Sequence, residues 1–345
     1  MQRALGLALV VALALGASAL AQGAAAQGVA AQGVTVIAHR GASGYLPEHT
    51  LEAFAMAHAQ GADYLEVDLV MAGDGTLVVL HDLTLEATTN VDEVFPDRRR
   101  ANGRWYAVDF TVEELRQLRV HERTDRDGAM VWPGRFPLGL GSFCVATFAE
   151  FVELVRGLNH STGRDVGLYV ELKHPAEHAA MGLPMEAAVL RELERYPGAR
   201  VVLQSFSLDA LRTLRFELAT DLPLVFLLAT RQQATQAALD RLVGWVDGIG
   251  PSKALVEANP GLVRWARERG MVVHVWTFRA DAVTPRYASF EQEVATFVLE
   301  YGVDGLFTDH PDVVVGVLTG LGRRAVAPPR VRPRRRLGRS PSKAP

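Results

Sequence analysis

The segment "YLEVDLVMAGDGTLVVLHD" (Tyr64–Asp82) holds two apolar β-type runs, Tyr64–Val70 and Leu77–Leu80, joined by the short stretch "MAGDGT". A crossover to a parallel neighbour takes about a dozen residues or more. Asp74-Gly75 is a hairpin turn signal. The second run is therefore expected to lie antiparallel to the first.

Working outward, further apolar runs occur at Val34–Ala38, Gly167–Leu172, Val201–Ser205, Leu224–Leu228, Val246–Ile249, Val272–Trp276 and Gly305–Phe307. Near-continuous apolar runs suit strands buried on both faces. Helical patterns fall between them. Thr50 is placed to cap "LEAFAMAHAQ", which Gly61 ends. "TVEE" at Thr111 and "TFAE" at Thr147 are capping boxes, and Ser207 stands before "LDALRTLRFEL". With the hairpin strand Leu77–Leu80 set aside, eight strand candidates remain, each followed by a helical pattern. That alternation predicts a (β/α)8 barrel, a TIM barrel, with an antiparallel hairpin strand after strand 2. Residues 83–147 are long for a loop and read as an insertion over the barrel mouth.

The termini fall outside this pattern. Met1-Gln2-Arg3, the apolar run Ala4–Leu20 and the small-x-small triplet Ala19-Leu20-Ala21 form a signal-peptide pattern over 1–21. A membrane anchor is the competing reading, but the run is short for a span of about 20 apolar residues. The mature chain is then expected to be exported, periplasmic or secreted. Residues 22–33 lack periodicity and read as a flexible leader. Residues 34–322 form the barrel domain, and 323–345 a disordered basic tail. Cys144 is the only cysteine, so no intrachain disulfide can form, and it reads as a packing residue. A formal charge of -3 on 345 residues gives no reason to expect nucleic acid. A small-molecule substrate, no stable membrane insertion and, as one option, a homodimer complete the expected partners.

The chemistry gathers at strand ends. If Asp74 and Gly75 are the two loop residues, Asp68 faces His81 across the hairpin, and Glu66 shares that face. Buried carboxylates need a compensating cation. Arg40 or Lys173 could supply one, but hard oxygen ligands point to a divalent metal, Ca²⁺ or Mg²⁺ rather than zinc. "LYVELKHP" adds Glu171 as a third ligand and Lys173 as a point charge for an anion. "AHRG" puts His39 and Arg40 at the end of the first strand, where barrel active sites lie. Arg40 suits bidentate phosphate binding. His39 and His81 suit general acid–base work. Glu48 is expected to position Arg40 or a substrate hydroxyl, and His49 to hydrogen-bond the helix start. Phe206 and Trp276 are candidates for pocket walls. His174, His178 and Arg279 are weaker candidates for substrate contact. Gly41 and Gly44 are expected to let the backbone approach substrate.

These residues resemble the glycerophosphodiester phosphodiesterases. The resemblance rests on "HRGASGYLPEHTLEAF", "LEVDLVMAGDGTLVVLHD" and "ELKHP". "FPDRRRANGRWYAVDFTVEEL", "GLNHSTGRDVG", "DGIGP", "TFRAD" and "GVDGLFTDHPD" are similar to the long periplasmic branch. The resemblance runs from about Val34 to Leu318. It implies a (β/α)8 barrel that hydrolyses glycerophosphodiesters, such as glycerophosphocholine or glycerophosphoethanolamine, to sn-glycerol 3-phosphate and an alcohol, with Ca²⁺. It carries metal ligation to Glu66, Asp68 and Glu171, acid–base work to His39 and His81, and phosphate contact to Arg40 and Lys173. "MAGDG" departs from the family's usual Thr-Lys-Asp, at loop positions. Two other readings are a metal-dependent phospholipase acting on lysophospholipids or sphingomyelin, and a catalytically inactive binding protein that keeps the barrel.

Overall fold

A computed structural model describes residues 33–324. The expected signal peptide over 1–21, the expected leader before residue 33 and the expected tail from 325 lie outside the described residues. Nine strands form one sheet: β1 (Thr35–Ala38), β2 (Tyr64–Met71), β3 (Leu77–Val79), β4 (Gly167–Leu172), β5 (Val201–Ser205), β6 (Leu224–Leu228), β7 (Gly248–Pro251), β8 (Val272–Phe278) and β9 (Gly305–Thr308). The order is β1-β9-β8-β7-β6-β5-β4-β2-β3, and a further β1–β2 pairing closes the ring. Apart from β3, all pairings are parallel. The result is the expected (β/α)8 barrel. Closure removes every sheet edge except the one β3 forms outside the ring.

The helices begin where their capping residues direct. Thr50 accepts from Ala53 N at the head of the helix Leu51–Ala59. Thr111 and Thr147 close reciprocal capping boxes with Glu114 and Glu150. Inside the barrel, Ile37, Tyr169, Val202, Val225 and Phe307 pack into one cluster. The buried Tyr169 hydroxyl meets His274 Nδ1 at 2.9 Å, which satisfies its polar end. The larger core lies between strands and helices, with Phe54, Phe148, Phe151, Phe278 and Phe297 buried within it.

The hairpin differs from expectation by one residue. Its loop is Gly73-Asp74-Gly75, closed by Ala72 N donating to Thr76 O at 2.9 Å. Gly75 takes a φ of 83°, the left-handed residue of a three-residue loop. The register is therefore Leu69↔Val79 and Val70↔Val78. Leu80 donates to Asp68 O at 3.1 Å, so Leu80, not His81, stands opposite Asp68. His81 lies past the end of β3, and the turn of the chain there carries its ring to the barrel mouth.

Segment 83–147 has a core of its own. Leu85, Val91, Trp105, Phe110, Leu115 and Phe143 pack with Val70, Val78 and Leu80 of the hairpin. Short helical turns and isolated bridges, including Thr84↔Tyr106 and Val120↔Phe143, hold it together. Cys144 is exposed, which corrects its reading as a packing residue. Val34 bridges to Arg324, and Arg324 pairs with Asp63, so ordered structure runs two residues past 322. Among the described residues no helix is long and apolar enough to cross a membrane.

Candidate active site

The first strand ends at Ala38, and the chain turns sharply to bring His39 and Arg40 over the barrel. Arg40 and His49 take positive φ, 58° and 65°. Such conformations cost of order 1–3 kcal/mol each in non-glycine residues and persist where surroundings enforce them. The enforcement is visible: Arg40 N donates to Glu66 Oε2 at 2.8 Å, and His49 N donates to Arg40 O at 3.0 Å. Packing requires both Gly41 and Gly44. Gly41 has a φ of 85° against the Ala53 backbone, and a Cβ on Gly44 would sit 2.3 Å from the His310 ring.

Glu66 and Asp68 of β2 pair in register with Tyr169 and Glu171 of β4, so all four face the barrel axis. Glu66, Asp68 and Glu171 are buried, with carboxylate oxygens within 4.8 Å of one another. Lys173 Nζ lies 2.7 Å from Glu171 Oε1 and 3.8 Å from Asp68 Oδ1. Arg40 Nε lies 3.4 Å from Asp68 Oδ2. Two cations thus border three carboxylates, and among the described residues Asp68 Oδ1 has no hydrogen-bond partner. Burial, then Asp68 and Glu171, drive Glu66 well above the usual carboxylate range. Burial lifts Glu171 to about 8, against the pull of Lys173. Burial also pushes Asp68 upward, but Lys173, the His49 hydrogen bond, His81 and Arg40 outweigh it and hold Asp68 low. Three all-oxygen donors short of positive charge, one with an orphaned oxygen, fit a hard divalent cation.

Each candidate histidine is held by an aspartate. His39 Nδ1 meets Asp309 Oδ1 at 2.7 Å, and His81 Nδ1 meets Asp82 Oδ1 at 2.6 Å. With Nδ1 engaged, Nε2 is the nitrogen each ring has left for a substrate. Burial, then the Arg40 charge, pulls both histidines down to about 4.

These groups surround a cavity of about 320 Å³ lined by His39, Arg40, Glu66, His81, Glu171 and Lys173. Phe206 and Trp276 wall it, edge to face at 5.8 Å, and Lys173 Nζ lies 5.6 Å from the Phe206 ring centre. β8 slips register against β9 between Val275 and Phe278, and Trp276 there bridges to Ser252 and donates from Nε1 to the Gly250 carbonyl at 2.8 Å. Glu48 Oε1 accepts from Arg40 Nη1 at 3.0 Å, so of its two expected roles it takes the first. His49 does not serve the helix start: its Nε2 meets Asp68 Oδ2 at 2.8 Å. Arg279 donates to Asp309 Oδ2 at 2.8 Å. His178 is fully buried, away from the cavity lining.

Sequence reasoning missed Gln204, Asp309, Asp82, Arg123 and Arg135. Gln204 is a polar residue inside the apolar run "VVLQS", a signal of the same kind as Glu66, and its Nε2 lies 3.3 Å from Glu66 Oε1. Asp309 follows β9 just as His39 follows β1, so the strand-end rule alone could have flagged it. The arginines lie within the insertion and carry no local signal.

A barrel mouth that combines an acidic cluster, cationic anion contacts and two His–Asp pairs defines a hydrolase acting on an anionic substrate. The chain belongs to the glycerophosphoryl diester phosphodiesterase family, whose model matches residues 39–313. It is 37% identical to a glycerophosphodiester phosphodiesterase of Haemophilus influenzae over 327 residues, covering 83% of this chain and 90% of the relative. It is 32% identical to the Treponema pallidum enzyme of that name, covering 82% and 91%. A solved protein from Silicibacter pomeroyi aligns with a TM-score of 0.68 and 29% identity, over 86% of this chain and 96% of that one. An Oleispira antarctica phosphodiesterase, solved with the product sn-glycerol-3-phosphate, shares the fold at 23% identity and a TM-score of 0.62, over 83% and 97%. The chain is a phosphoric diester hydrolase that converts glycerophosphodiesters to glycerol 3-phosphate and an alcohol. The family is metal-dependent.

Proposed function

We propose that hydrolysis runs by paired histidine acid–base catalysis at a Ca²⁺ site formed by Glu66, Asp68 and Glu171. The observation that carries this reading is the pair of His–Asp contacts at one cavity, beside three buried carboxylates. A bound Ca²⁺ would neutralise phosphoryl charge and acidify the attacking hydroxyl or water. Arg40 and Lys173 bind the phosphoryl oxygens and stabilise charge there. One histidine takes a proton from the nucleophile at Nε2, and the other gives one to the leaving oxygen from Nε2. Asp309 and Asp82 fix the ring orientations through Nδ1–H, which leaves Nε2 basic in the neutral ring that accepts, while the donating ring enters as the imidazolium, protonated at both nitrogens and stabilised by its aspartate. Phe206 and Trp276 supply the apolar wall of the cavity. The product complex of the Oleispira antarctica phosphodiesterase supports glycerol 3-phosphate as the group retained.

Export goes with this reading. The signal pattern over 1–21 supports a substrate met outside the cytoplasm.

The test is an assay of purified protein with Ca²⁺ against several glycerophosphodiesters and lysolipids, with glycerol 3-phosphate release as readout. His39→Ala and His81→Ala are expected to abolish release. A rate undiminished in either variant would sink the acid–base assignment, and release from lysolipids alone would favour the phospholipase reading.

A further inference from the structure

We propose that Arg123 and Arg135, both carried by the 83–147 insertion, are positioning residues that lock the two His–Asp pairs from above. This rests on the acid–base assignment of His39 and His81.

The two pairs are built alike. Asp82 gives Oδ1 to His81 and Oδ2 to Arg123 Nη1, at 2.6 Å each. Asp309 gives Oδ1 to His39 and Oδ2 to Arg135 Nη2, at 2.7 Å each. In both, the guanidinium takes the carboxylate oxygen that the imidazole does not. A carboxylate held at both oxygens cannot rotate, so the ring bonded to it is fixed in plane as well as in tautomer.

The insertion has other arginine–carboxylate pairs, and they differ. Arg100–Asp109 and Arg116–Glu150 lie on the surface, where such pairs contribute little. The side chains of Arg135 and Arg123 are only 4% and 18% exposed. Arg135 is held further by Asp281 at 2.8 Å and by the Ser43 carbonyl at 3.1 Å, and it lies 4.7 Å from the Trp132 ring centre. Planar, multiply bonded guanidinium groups in such places act as rigid connectors. The insertion is therefore part of the catalytic apparatus and not merely a cover.

The two arginines are not equivalent. Arg123 also grips Glu48, at 2.7 and 3.0 Å, and Glu48 grips Arg40. Its loss disturbs both His81 and the phosphate contact. Arg135 contacts no group assigned to phosphate. Arg279 still holds Asp309 Oδ2 when Arg135 is gone, whereas Asp82 Oδ2 has only Arg123 among the described residues. Arg123 should matter more.

The test compares Arg123→Gln, Arg135→Gln, the two lysine variants and Arg100→Gln in the Ca²⁺-loaded enzyme. Readouts are kcat and KM on sn-glycero-3-phosphocholine, melting temperature, and glycerol 3-phosphate affinity by calorimetry. Arg123→Gln is expected to lower kcat about 10- to 100-fold, as loss of a group orienting a catalytic ligand does, and to raise KM. Arg135→Gln is expected to lower kcat by less, with KM and product affinity unchanged. Each lysine variant recovers part of the loss, and Arg100→Gln matches wild type. Values of kcat within about threefold of wild type in both glutamine variants would overturn the proposal. So would losses that track melting temperature and product affinity, without recovery in the lysine variants. Should the glutamine variants not fold, wild-type kcat in both lysine variants overturns it and a reduced kcat at intact product affinity supports it. Retained activity in His39→Ala or His81→Ala would instead defeat the assignment beneath it.

Discussion

His39 and Asp309 meet at 2.7 Å although 270 residues separate them. The contact joins the first strand's end to the last, because β1 and β9 are neighbours in the closed ring. Asp309 is held ionised: burial pushes its carboxyl up, but the His39 hydrogen bond and charge, Arg279 and Arg135 outweigh that and hold it far below its usual range.

Asp309→Asn removes that anchor with little change in shape. It leaves an amide that no longer fixes the Nδ1–H tautomer. In a serine-protease triad the equivalent change costs about 10⁴ in kcat. Because Arg135 and Arg279 also lose their partner here, a fall of about 10²- to 10⁴-fold is expected. Steady-state kinetics with the fold checked by circular dichroism decides, and a kcat equal to wild type would remove Asp309 from the mechanism.

The acidic cluster makes a separable prediction. Glu66→Gln and Glu171→Gln each delete one hard oxygen charge from a cluster that could hold a divalent cation. Calorimetric Ca²⁺ affinity of the chelated protein is expected to fall by about 10-fold or more in each. EDTA should abolish turnover, and added Ca²⁺ should restore it. Calcium affinity equal to wild type in both variants would place the ion elsewhere.

How much of this could be read in advance follows from the range of each signal. The strands and capping boxes were legible because β-runs and Thr-x-x-Glu act over a few residues. Glu66, Asp68 and Glu171 were legible because carboxylates inside apolar strands break a pattern. The His81–Asp68 pairing was misread because Asp-Gly does not tell a two-residue loop from a three-residue one, and one residue of register changes every facing pair. Arg123 and Arg135 were invisible because what places them is the folding of the insertion core around Trp105 and Phe143, not any motif near them.

Acid should destabilise the fold through a buried histidine outside the acidic cluster. His178 is fully buried with neither ring nitrogen partnered among the described residues, and burial, then His174, pulls its pKa from 6.5 to about 4. The unfolded chain therefore binds more protons between about pH 6.5 and 4. The stability this histidine contributes is present above that window and is lost as pH falls through it. His178→Leu, which removes two unsatisfied polar atoms, should erase about 2 kcal/mol of the stability lost between pH 7 and pH 5. Urea unfolding at the two pH values measures it. An unchanged pH difference in the variant would show that His178 does not titrate in this window.

The hairpin loop offers a test of its register. A Cβ on Gly75 would approach only Leu183, at 4.0 Å, so space is available and the obstacle is its φ of 83°. Gly75→Ala should therefore cost about 1–2 kcal/mol from backbone strain alone. Gly75→Asn should cost less, because asparagine tolerates the left-handed region. Gly73 differs: a Cβ there would lie 2.6 Å from the Val108 carbonyl, so Gly73→Ala must displace the insertion backbone. That displacement should reach the insertion core and lower kcat along with stability, whereas Gly75→Ala lowers stability and leaves kcat alone. Denaturation midpoints and kcat measured on both variants separate the two effects. Equal kcat losses in both would mean that the loop and the insertion are not coupled through Gly73.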